Sequence, residues 1–376
     1  MTAILGMLYR DTPCLLGDMM ISSPNPPERE VSLPVSGQVS AEMPIRWDTR
    51  YFTDFRQKLN LIGPNLIVAW SGSLVEAQAA ISHLRNGYAS VDPSSFDQIL
   101  ELTESITELE LKNTILIVLI ANSERWLLRH VGAARTIQTP WGENAVVAGV
   151  GEDHIIDALE SEFEFNNEDR FSQAIGNLLM ASSRMWFWDI NGVGPNLAFG
   201  GGYEVAIRQN NQISKIGDIL YANHVYVPGR GIALVPIFKK VDYYQDNLIV
   251  RVLGFSAPPK KASDDFDYHR KAIYVIPPVD RIWSCSCPAP SMEEVLDNIP
   301  DFNASHFASY VEIPSTKSNV RPHSVAMHEY RTEDRPIKFE YEPGGQFPRS
   351  LNLEERYINQ VRDQVLQVVA EAGETI

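Results

Sequence analysis

The second residue of the chain is a threonine, Thr2, which stands directly behind Met1. A threonine hydroxyl is a weak nucleophile at its own pKa and needs a base beside it. When Met1 is removed, the α-amine of Thr2 becomes free, and an amine on the same residue can serve as that base. Its pKa of roughly 8 in model peptides allows it to exchange protons near neutral pH. Because small residues are common at this position, Thr2 alone is not a functional signal.

The segments that follow Thr2 predict the elements that would position it. "AILGMLY" and "CLLGDMM" have the composition of two strands joined by a tight turn, and together they predict a hairpin. Further along, "QKLNLIGPNLIVAWSGS" predicts two short strands around a Gly-Pro-Asn turn, and "LVEAQAAISHL" has apolar residues at helical spacing. The order then continues as strands, two helices and strands. It predicts an α+β fold, a four-layer αββα sandwich with two sheets between layers of helices.

Four segments before about residue 225 resemble the proteasome β-subunit family and its bacterial peptidase relatives, which are N-terminal-nucleophile hydrolases. In chain order they are "TAILGMLYRDTPCLLGD", "QKLNLIGPNLIVAWSGSLVEAQA", "AVVAGVGEDHIIDAL" and "FGGGYEVAIRQNNQISKIGDI". Two family spacings are kept, since Asp18 lies 16 positions after Thr2 and Gly72 lies 14 positions after Lys58. The resemblance implies the N-terminal-nucleophile hydrolase fold, activated by removal of Met1 to expose Thr2.

The resemblance also implies a role for each of these residues. Thr2 would be the nucleophile, and the ammonium of Lys58 would lower the pKa of its α-amine and help to ionise its hydroxyl. Asp18 would hold the Lys58 side chain and keep it charged. The Gly72 amide would donate to the oxyanion of the tetrahedral intermediate, an interaction worth about 3 kcal/mol in comparable sites. Taken singly, Lys58, Asp18 and Gly72 also have ordinary interpretations as a strand-edge lysine, a turn residue and the lead-in to a helix.

The chain departs from the family pattern in three places. The stretch 22–50, rich in proline and serine, is expected to be an insertion near the substrate cleft. Val150 stands where the family has a serine, and Leu197 and Gly200 stand where it has an aspartate and a serine. Candidate supporting residues at or near these positions are Glu152, Asp189, Asn196, Gly200 and Gly201. The departures keep open the alternative of a decayed subunit without catalytic activity.

Two parts are expected along the chain. Residues 1–255 are predicted to form the hydrolase domain with its insertion at about 22–50. Residues 256–376 are predicted to form an uncharacterised C-terminal extension that ends in an amphipathic helix. The extension has no recognised motif, and capping an assembly, contacting a partner or covering a substrate entrance are all open roles for it.

Composition excludes several classes of function. A formal net charge of −16 argues against nucleic-acid binding, and no apolar run is long enough to cross a membrane. Three cysteines are too few for a disulfide framework, so a cytoplasmic, reducing setting is expected. Cys285 and Cys287 have no second pair to complete a zinc site, and the glycine-rich runs lack a dinucleotide-binding unit. No metal and no cofactor are therefore predicted.

The leading prediction is a threonine-type amide hydrolase, a proteasome-like peptidase that acts on peptides or proteins. The resemblance implies that it assembles with copies of itself into a ring-like oligomer. Two alternatives stay open. One is a catalytically inactive scaffold or interaction subunit that keeps the fold, and the other is an amidase that cleaves a small molecule.

Overall fold

A computed structural model describes the chain over most of its length. The described residues are 2–9, 11–25, 43–45, 48–139, 143–159, 170–190, 199–227, 231–255, 268–281, 290–298, 301–313, 323–330, 335–341, 348 and 350–371. The protein is of mixed α/β type, with several sheets and helices. It divides into two compact units. Unit 1 comprises Met1–Ile216, Asp246–Leu248 and Ile276–Ala289, and unit 2 comprises Gly217–Gln245, Ile249–Val275 and Pro290–Ile376.

The elements are numbered in chain order. The strands are β1 (Ile4–Tyr9), β2 (Thr12–Asp18), β3 (Met20–Ser23), β4 (Met43–Ile45), β5 (Asp48–Phe55), β6 (Leu59–Gly63), β7 (Leu66–Gly72), β8 (Thr114–Ala121), β9 (Trp126–Val131), β10 (Arg135–Gln138), β11 (Asn144–Ala148), β12 (Tyr203–Gln209), β13 (Gln212–Lys215), β14 (Ile219–Val227), β15 (Gly231–Tyr244), β16 (Asn247–Phe255), β17 (Tyr268–Ile276), β18 (His306–Ile313), β19 (His323–Tyr330), β20 (Ile337–Glu340) and β21 (Ser350–Leu353). The helices are α1 (Leu74–Tyr88), α2 (Phe96–Glu104), α3 (Glu152–Leu159), α4 (Arg170–Ile190), α5 (Met292–Asn298) and α6 (Glu355–Glu371), and a short 3-10 helix covers Ser105–Leu109.

Two larger sheets form the framework of unit 1. The first has the order β10-β11-β1-β2-β12-β13, and each of its neighbouring pairs is antiparallel. The second has the order β6-β7-β8-β9 and is also antiparallel. The opening hairpin predicted from the sequence is confirmed, with Ile4 opposite Gly17 and Tyr9 opposite Thr12. This register brings the end of β2 back beside the first residues of the chain.

Apolar side chains from both sheets belong to one core cluster. Ile4 and Leu15 of the first sheet share it with Ile67 and Leu119 of the second. On its other side, the second sheet packs against α1 and α2 in a separate cluster. Helices α3 and α4 contact strands of the first sheet. Each fully buried aliphatic side chain in these clusters contributes about 1.5–3 kcal/mol, so the clusters hold the strands of both sheets in place.

The caps of α1 and α2 are set by serines. Ser73 accepts a hydrogen bond from the amide of Glu76, and Ser95 accepts one from the amide of Gln98. Since Ser73 follows Gly72 directly, the cap fixes where strand β7 turns into α1.

Part of the predicted insertion belongs to a small three-stranded sheet with the order β3-β5-β4. Strand β3 runs antiparallel to β5, with Met20 opposite Phe55. Residues 26–42, 46 and 47 of the insertion lie outside the described part of the chain.

Unit 2 is built on the sheet β17-β16-β15-β14-β18-β19. Helix α6, the predicted terminal amphipathic helix, buries Tyr357, Val361, Val365 and Val369. These positions recur every four residues, as one face of a helix requires. The prediction of an amphipathic helix at the end of the chain is confirmed.

The predicted division at residue 255 differs from the division between the units. Strands β14, β15 and β16 precede residue 255, yet they belong to the same sheet as β17, β18 and β19 from the C-terminal part. The link is the parallel pairing of β14 with β18, in which Ile219 lies opposite His306. Local sequence patterns do not report such distant pairing, so the change of composition near residue 255 was a poor guide to this boundary.

Candidate active site

Thr2 and Asp18 meet at the start of the opening hairpin. The Thr2 hydroxyl donates to Asp18 Oδ1 over 3.0 Å, and the Ala3 amide donates to the same oxygen over 3.2 Å. The Gly200 amide donates to Asp18 Oδ2 over 2.8 Å. Both Thr2 and Asp18 are fully buried. The carboxylate is therefore satisfied on both oxygens, and one of its partners is the hydroxyl predicted to act as nucleophile.

Lys58 lies beside the same corner of β2. Residue 17 is a glycine, and a Cβ built there would lie 3.0 Å from Cβ of Lys58, so a larger residue would push the lysine away. The Lys58 ammonium lies 3.7 Å from the centroid of the Trp70 ring. Trp70 also donates its indole N–H to the Gln57 carbonyl over 3.0 Å and its amide to the Lys58 carbonyl over 3.1 Å. Trp70 thus contacts both the backbone and the charge of this lysine.

Burial moves the pKa values of Asp18 and Lys58 towards neutral pH. Burial raises the pKa of Asp18 to about 6, against the opposing effects of Lys58 and of the hydrogen bonds from Gly200, Ala3 and Thr2. Burial lowers the pKa of Lys58 to about 8, against the attraction of Asp18 and Glu204. A lysine in this range can exchange protons near neutral pH, which is what acid–base chemistry at a hydroxyl needs.

Gly72 ends β7 with a positive φ of 105°. A Cβ at this position would lie 1.9 Å from the Asn113 carbonyl oxygen, so only glycine fits here. Gly72 and Lys58 both line a cleft of about 600 Å³. This volume is in the range of ordinary small-ligand and substrate pockets.

Residues from the predicted insertion and from the Val150 turn complete this cleft. Ser22, Ser23 and Pro24 contribute to one part of its wall, and Leu74 and Val150 contribute apolar surface. Val150, which stands where the family has a serine, is 52% exposed. Lys58 is the one charged side chain among the described lining residues.

Thr2 does not contribute to the described wall of the cleft. Its carbonyl oxygen accepts a hydrogen bond from the Gly151 amide over 3.2 Å. Because Thr2 is fully buried, its hydroxyl is not exposed to this cleft.

The candidate supporting residues fall into three groups. Asp189, expected in a loop, lies in the last turn of α4, where it accepts hydrogen bonds from the Gly201 amide and the Tyr203 hydroxyl, each over 3.1 Å. It therefore braces the glycine turn from which Gly200 donates to Asp18. Glu152 instead lies 3.7 Å from Arg135, an ion pair at the partly exposed start of α3. Asn196 and Leu197 lie outside the described residues.

Sequence analysis missed Trp70 and Glu204. Glu204 Oε2 accepts hydrogen bonds from the amides of Lys58 over 2.7 Å and Leu59 over 3.1 Å, and its Oε1 lies 2.8 Å from the Lys215 ammonium. A signal for Glu204 was present, because a glutamate within the apolar run "YEVAI" must find partners once the strand is buried. Its partners could not be named, because they lie far away in the sequence.

Within the described ranges, no group of three or more His, Cys, Asp or Glu side chains is arranged to hold a metal ion. Cys285 and Cys287 lie outside those ranges. Among the described helices, none is both long enough and apolar enough to cross a bilayer.

Comparison with known proteins finds likenesses among solved structures alone. No protein-family model matches the sequence, and no curated protein matches it either. Among solved structures, the crystal structure of eukaryotic HslV from Trypanosoma brucei is similar at 19% identity and a TM-score of 0.30. The match covers 55% of this chain and 98% of that one. At this TM-score the likeness is a weak resemblance and carries no functional conclusion.

Proposed function

We propose that unit 1 is an N-terminal-nucleophile amide hydrolase in which Thr2 attacks peptide bonds. The observation that carries the proposal is the pairing of Thr2 with Asp18, whose carboxylate accepts the threonine hydroxyl and faces the charge of Lys58. Three residue types that this chemistry requires thus lie in one buried corner. The adjoining cleft is lined by Lys58 and Gly72.

The proposed reaction begins with cleavage of the Met1–Thr2 bond, which aminopeptidases favour before small residues. The free α-amine takes the proton from the Thr2 hydroxyl, and Oγ1 bonds to the substrate carbonyl carbon. The carbonyl oxygen becomes an oxyanion and accepts a hydrogen bond from the Gly72 amide. The carbon–nitrogen bond then breaks, and the α-ammonium gives its proton to the leaving amine.

An ester on Thr2 remains after the first product leaves. Water attacks this ester with the α-amine again as base, which releases the carboxylic acid and restores the hydroxyl. Throughout, the Lys58 ammonium stabilises negative charge on the reacting oxygen and lowers the pKa of the α-amine. Asp18 orients the hydroxyl and keeps Lys58 charged.

We propose that unit 1 is an αββα sandwich that contains residues 1–216 of the predicted hydrolase domain. The proposal is supported by the core that its two sheets share and by the helices packed on them. By its resemblance to the proteasome β-subunit family, the protein is expected to form a ring-like homo-oligomer. A cytoplasmic setting is expected from its cysteine content. The mass of the particle in solution tests the oligomer.

One observation favours a second candidate function. Thr2 is fully buried, and its hydroxyl already has Asp18 as a partner. A catalytically silent scaffold subunit would keep these contacts for stability alone. A small-molecule amidase would share the chemistry of the first proposal and differ only in what the cleft admits.

A peptide epoxyketone separates these candidates, because it reacts with the hydroxyl and the free α-amine of an N-terminal threonine together. We expect the wild-type protein to be labelled and Thr2→Ala to be unlabelled. Thr12→Ala, a change in the same hairpin, is the matched control and should label normally. Labelling that persists in Thr2→Ala contradicts the proposed nucleophile. A wild-type protein with a free Thr2 amine and no labelling would identify the scaffold, unless small amides are turned over.

A further inference from the structure

Lys58 is held in place by a residue of strand β12 that lies outside the proposed catalytic set. Glu204 lies on β12, directly opposite Gly17 of β2. Its Oε2 accepts hydrogen bonds from two consecutive amides, those of Lys58 and Leu59, at 2.7 and 3.1 Å. Two amides bound to one carboxylate oxygen fix the direction in which the chain enters β6.

Glu204 is itself held by a buried network. The Lys215 ammonium lies 2.8 Å from Glu204 Oε1 and also donates to the Gln57 side-chain oxygen. The Gln57 side-chain nitrogen donates to the carbonyls of Asp246 and Ile276, each over 2.7 Å. Glu204 and Gln57 are each 1% exposed. A buried carboxylate with a fixed cation and two fixed amides has little freedom to move.

The position of Lys58 depends on this support because it is closely packed. Gly17, opposite Glu204, leaves just enough room for Cβ of Lys58. The ammonium lies against Trp70, whose own amide bonds the Lys58 carbonyl. Loss of the two hydrogen bonds to Glu204 would free the backbone of Lys58, while its ammonium would still lie against Trp70. A displacement of about 1 Å at a reacting group can cost on the order of a hundredfold in rate.

We propose that Glu204 is a positioning residue of the site: by binding the amides of Lys58 and Leu59, its carboxylate sets where the Lys58 ammonium lies. This inference rests on the proposed function for its kinetic consequence, and on geometry alone for its effect on Lys58. Glu204 does not touch the reacting atoms.

The charged groups that face Lys58 come from several elements. Asp18 on β2 and Glu204 on β12 favour the ammonium, while Arg56, two residues before it, disfavours it. Lys215 on β13 is paired with Glu204. Since the charge of Glu204 opposes the effect of burial, its removal should lower the pKa of Lys58 further.

Two variants of Glu204 and one control separate the effect of its hydrogen bonds on the position of Lys58 from the effect of its charge. Glu204→Gln keeps an oxygen that can accept from both amides and removes the charge, so we expect a moderate loss of kcat and an alkaline limb of the pH profile at lower pH. Glu204→Ala removes the hydrogen bonds as well, and we expect kcat to fall on the order of a hundredfold with KM little changed. Glu104→Gln, which removes a charge paired with Arg129 elsewhere in unit 1, is the control and should behave as wild type.

Titration of Lys58 gives a readout that does not depend on activity. In protein labelled with carbon-13 at the lysine side chains, the signal lost in Lys58→Arg is that of Lys58, and its pKa can be followed by NMR. We expect this pKa to be lower in Glu204→Gln than in wild type and unchanged in Glu104→Gln. A folded Glu204→Ala protein, which lacks both hydrogen bonds, with an unaltered Lys58 titration and unaltered kcat overturns the inference. If wild type is inactive and the Lys58 pKa still shifts, the inference on Glu204 stands and the proposed function fails.

Discussion

Each unit buries a group of polar side chains, and the two groups differ in charge and in surroundings. In unit 1 the group is Thr2, Asp18 and Lys58, with a cleft lined by Lys58. In unit 2 the group is His224 on β14, Ser309 on β18 and Tyr357 on α6. The Ser309 hydroxyl lies 3.2 Å from His224 Nδ1 and 2.8 Å from the Tyr357 hydroxyl, which lies 3.4 Å from His224 Nε2.

The comparison shows that residue types alone do not make a site. A serine beside a histidine is the pairing of many hydrolases, yet in unit 2 the three groups bind one another in a closed ring. Burial lowers the pKa of His224 to about 4, so the ring is neutral at physiological pH. The unit 1 group instead contains two opposite charges held in a buried place. Burying two opposite charges costs stability unless they are paired and hydrogen-bonded, as Asp18 is by Thr2, Ala3 and Gly200.

The largest expected effect distinguishes the two groups directly. Replacing Lys58 with methionine removes the ammonium while keeping a long side chain against Trp70. We expect kcat/KM on a fluorogenic peptide to fall about a thousandfold, because the ammonium no longer stabilises the charge on the reacting oxygen or lowers the pKa of the α-amine. Ser309→Ala in the unit 2 ring should leave kcat/KM unchanged. Comparable losses in both variants would mean that the two groups do not differ in function.

The second expected effect is a difference in acid stability between the units. Burial lowers the pKa of His224 from 6.5 to about 4. Between these two pH values His224 is protonated in the unfolded chain and neutral in the folded chain. Stability is therefore lost as pH falls through this window, by about 3 kcal/mol. His306 and His328, with pKa values lowered by burial to about 4 and about 3, act in the same direction.

Asp18 acts in the opposite direction in unit 1. Burial raises its pKa from 3.8 to about 6, so the folded chain binds this proton more tightly, and the contribution of Asp18 to stability is lost as pH rises through that window. Hydrogen exchange measured between pH 4 and 6 should show β18 opening more readily as pH falls. Strand β2 should not follow it. Hydrogen exchange that becomes faster in both β18 and β2 as pH falls would contradict this difference between the units.

A third effect concerns the acid limb of activity. As pH falls through about 6, Asp18 takes up a proton and no longer stabilises the charge of Lys58, so kcat/KM should decline. Asp18→Asn should lower the plateau about a hundredfold and remove this limb, since the titrating group is gone. A pH profile of Asp18→Asn that keeps the same acid limb would assign the limb to another group.

The smallest expected effect lies in the unit 2 ring. Tyr357→Phe removes the hydroxyl that bonds Ser309 and His224 and leaves the ring packed in its apolar cluster. We expect a loss of about 1 kcal/mol in the free energy of unfolding, measured by chemical denaturation. Catalytic constants should not change. A loss of activity with unchanged stability would show that the unit 2 group has a catalytic role.

Local patterns were enough to predict some of these features and not others. The opening hairpin follows from strand composition and a turn, and its register alone returns Asp18 to Thr2. Lys58 and Gly72 were found through a family resemblance, since neither residue is unusual in its own segment. The contacts of Glu204 with Lys58 join residues 146 positions apart, and only the pairing of β2 with β12 makes them neighbours. A long separation in sequence also hid the pairing of β14 with β18.

The central claim is that Thr2, with a free α-amine, is the nucleophile. Mass spectrometry of the N-terminal peptide, after incubation of the purified protein with a peptide epoxyketone, tests it most directly. The account predicts a peptide that begins at Thr2 and carries one inhibitor molecule on that residue. A peptide that still carries Met1, or an unmodified Thr2 with the inhibitor bound elsewhere, would contradict it.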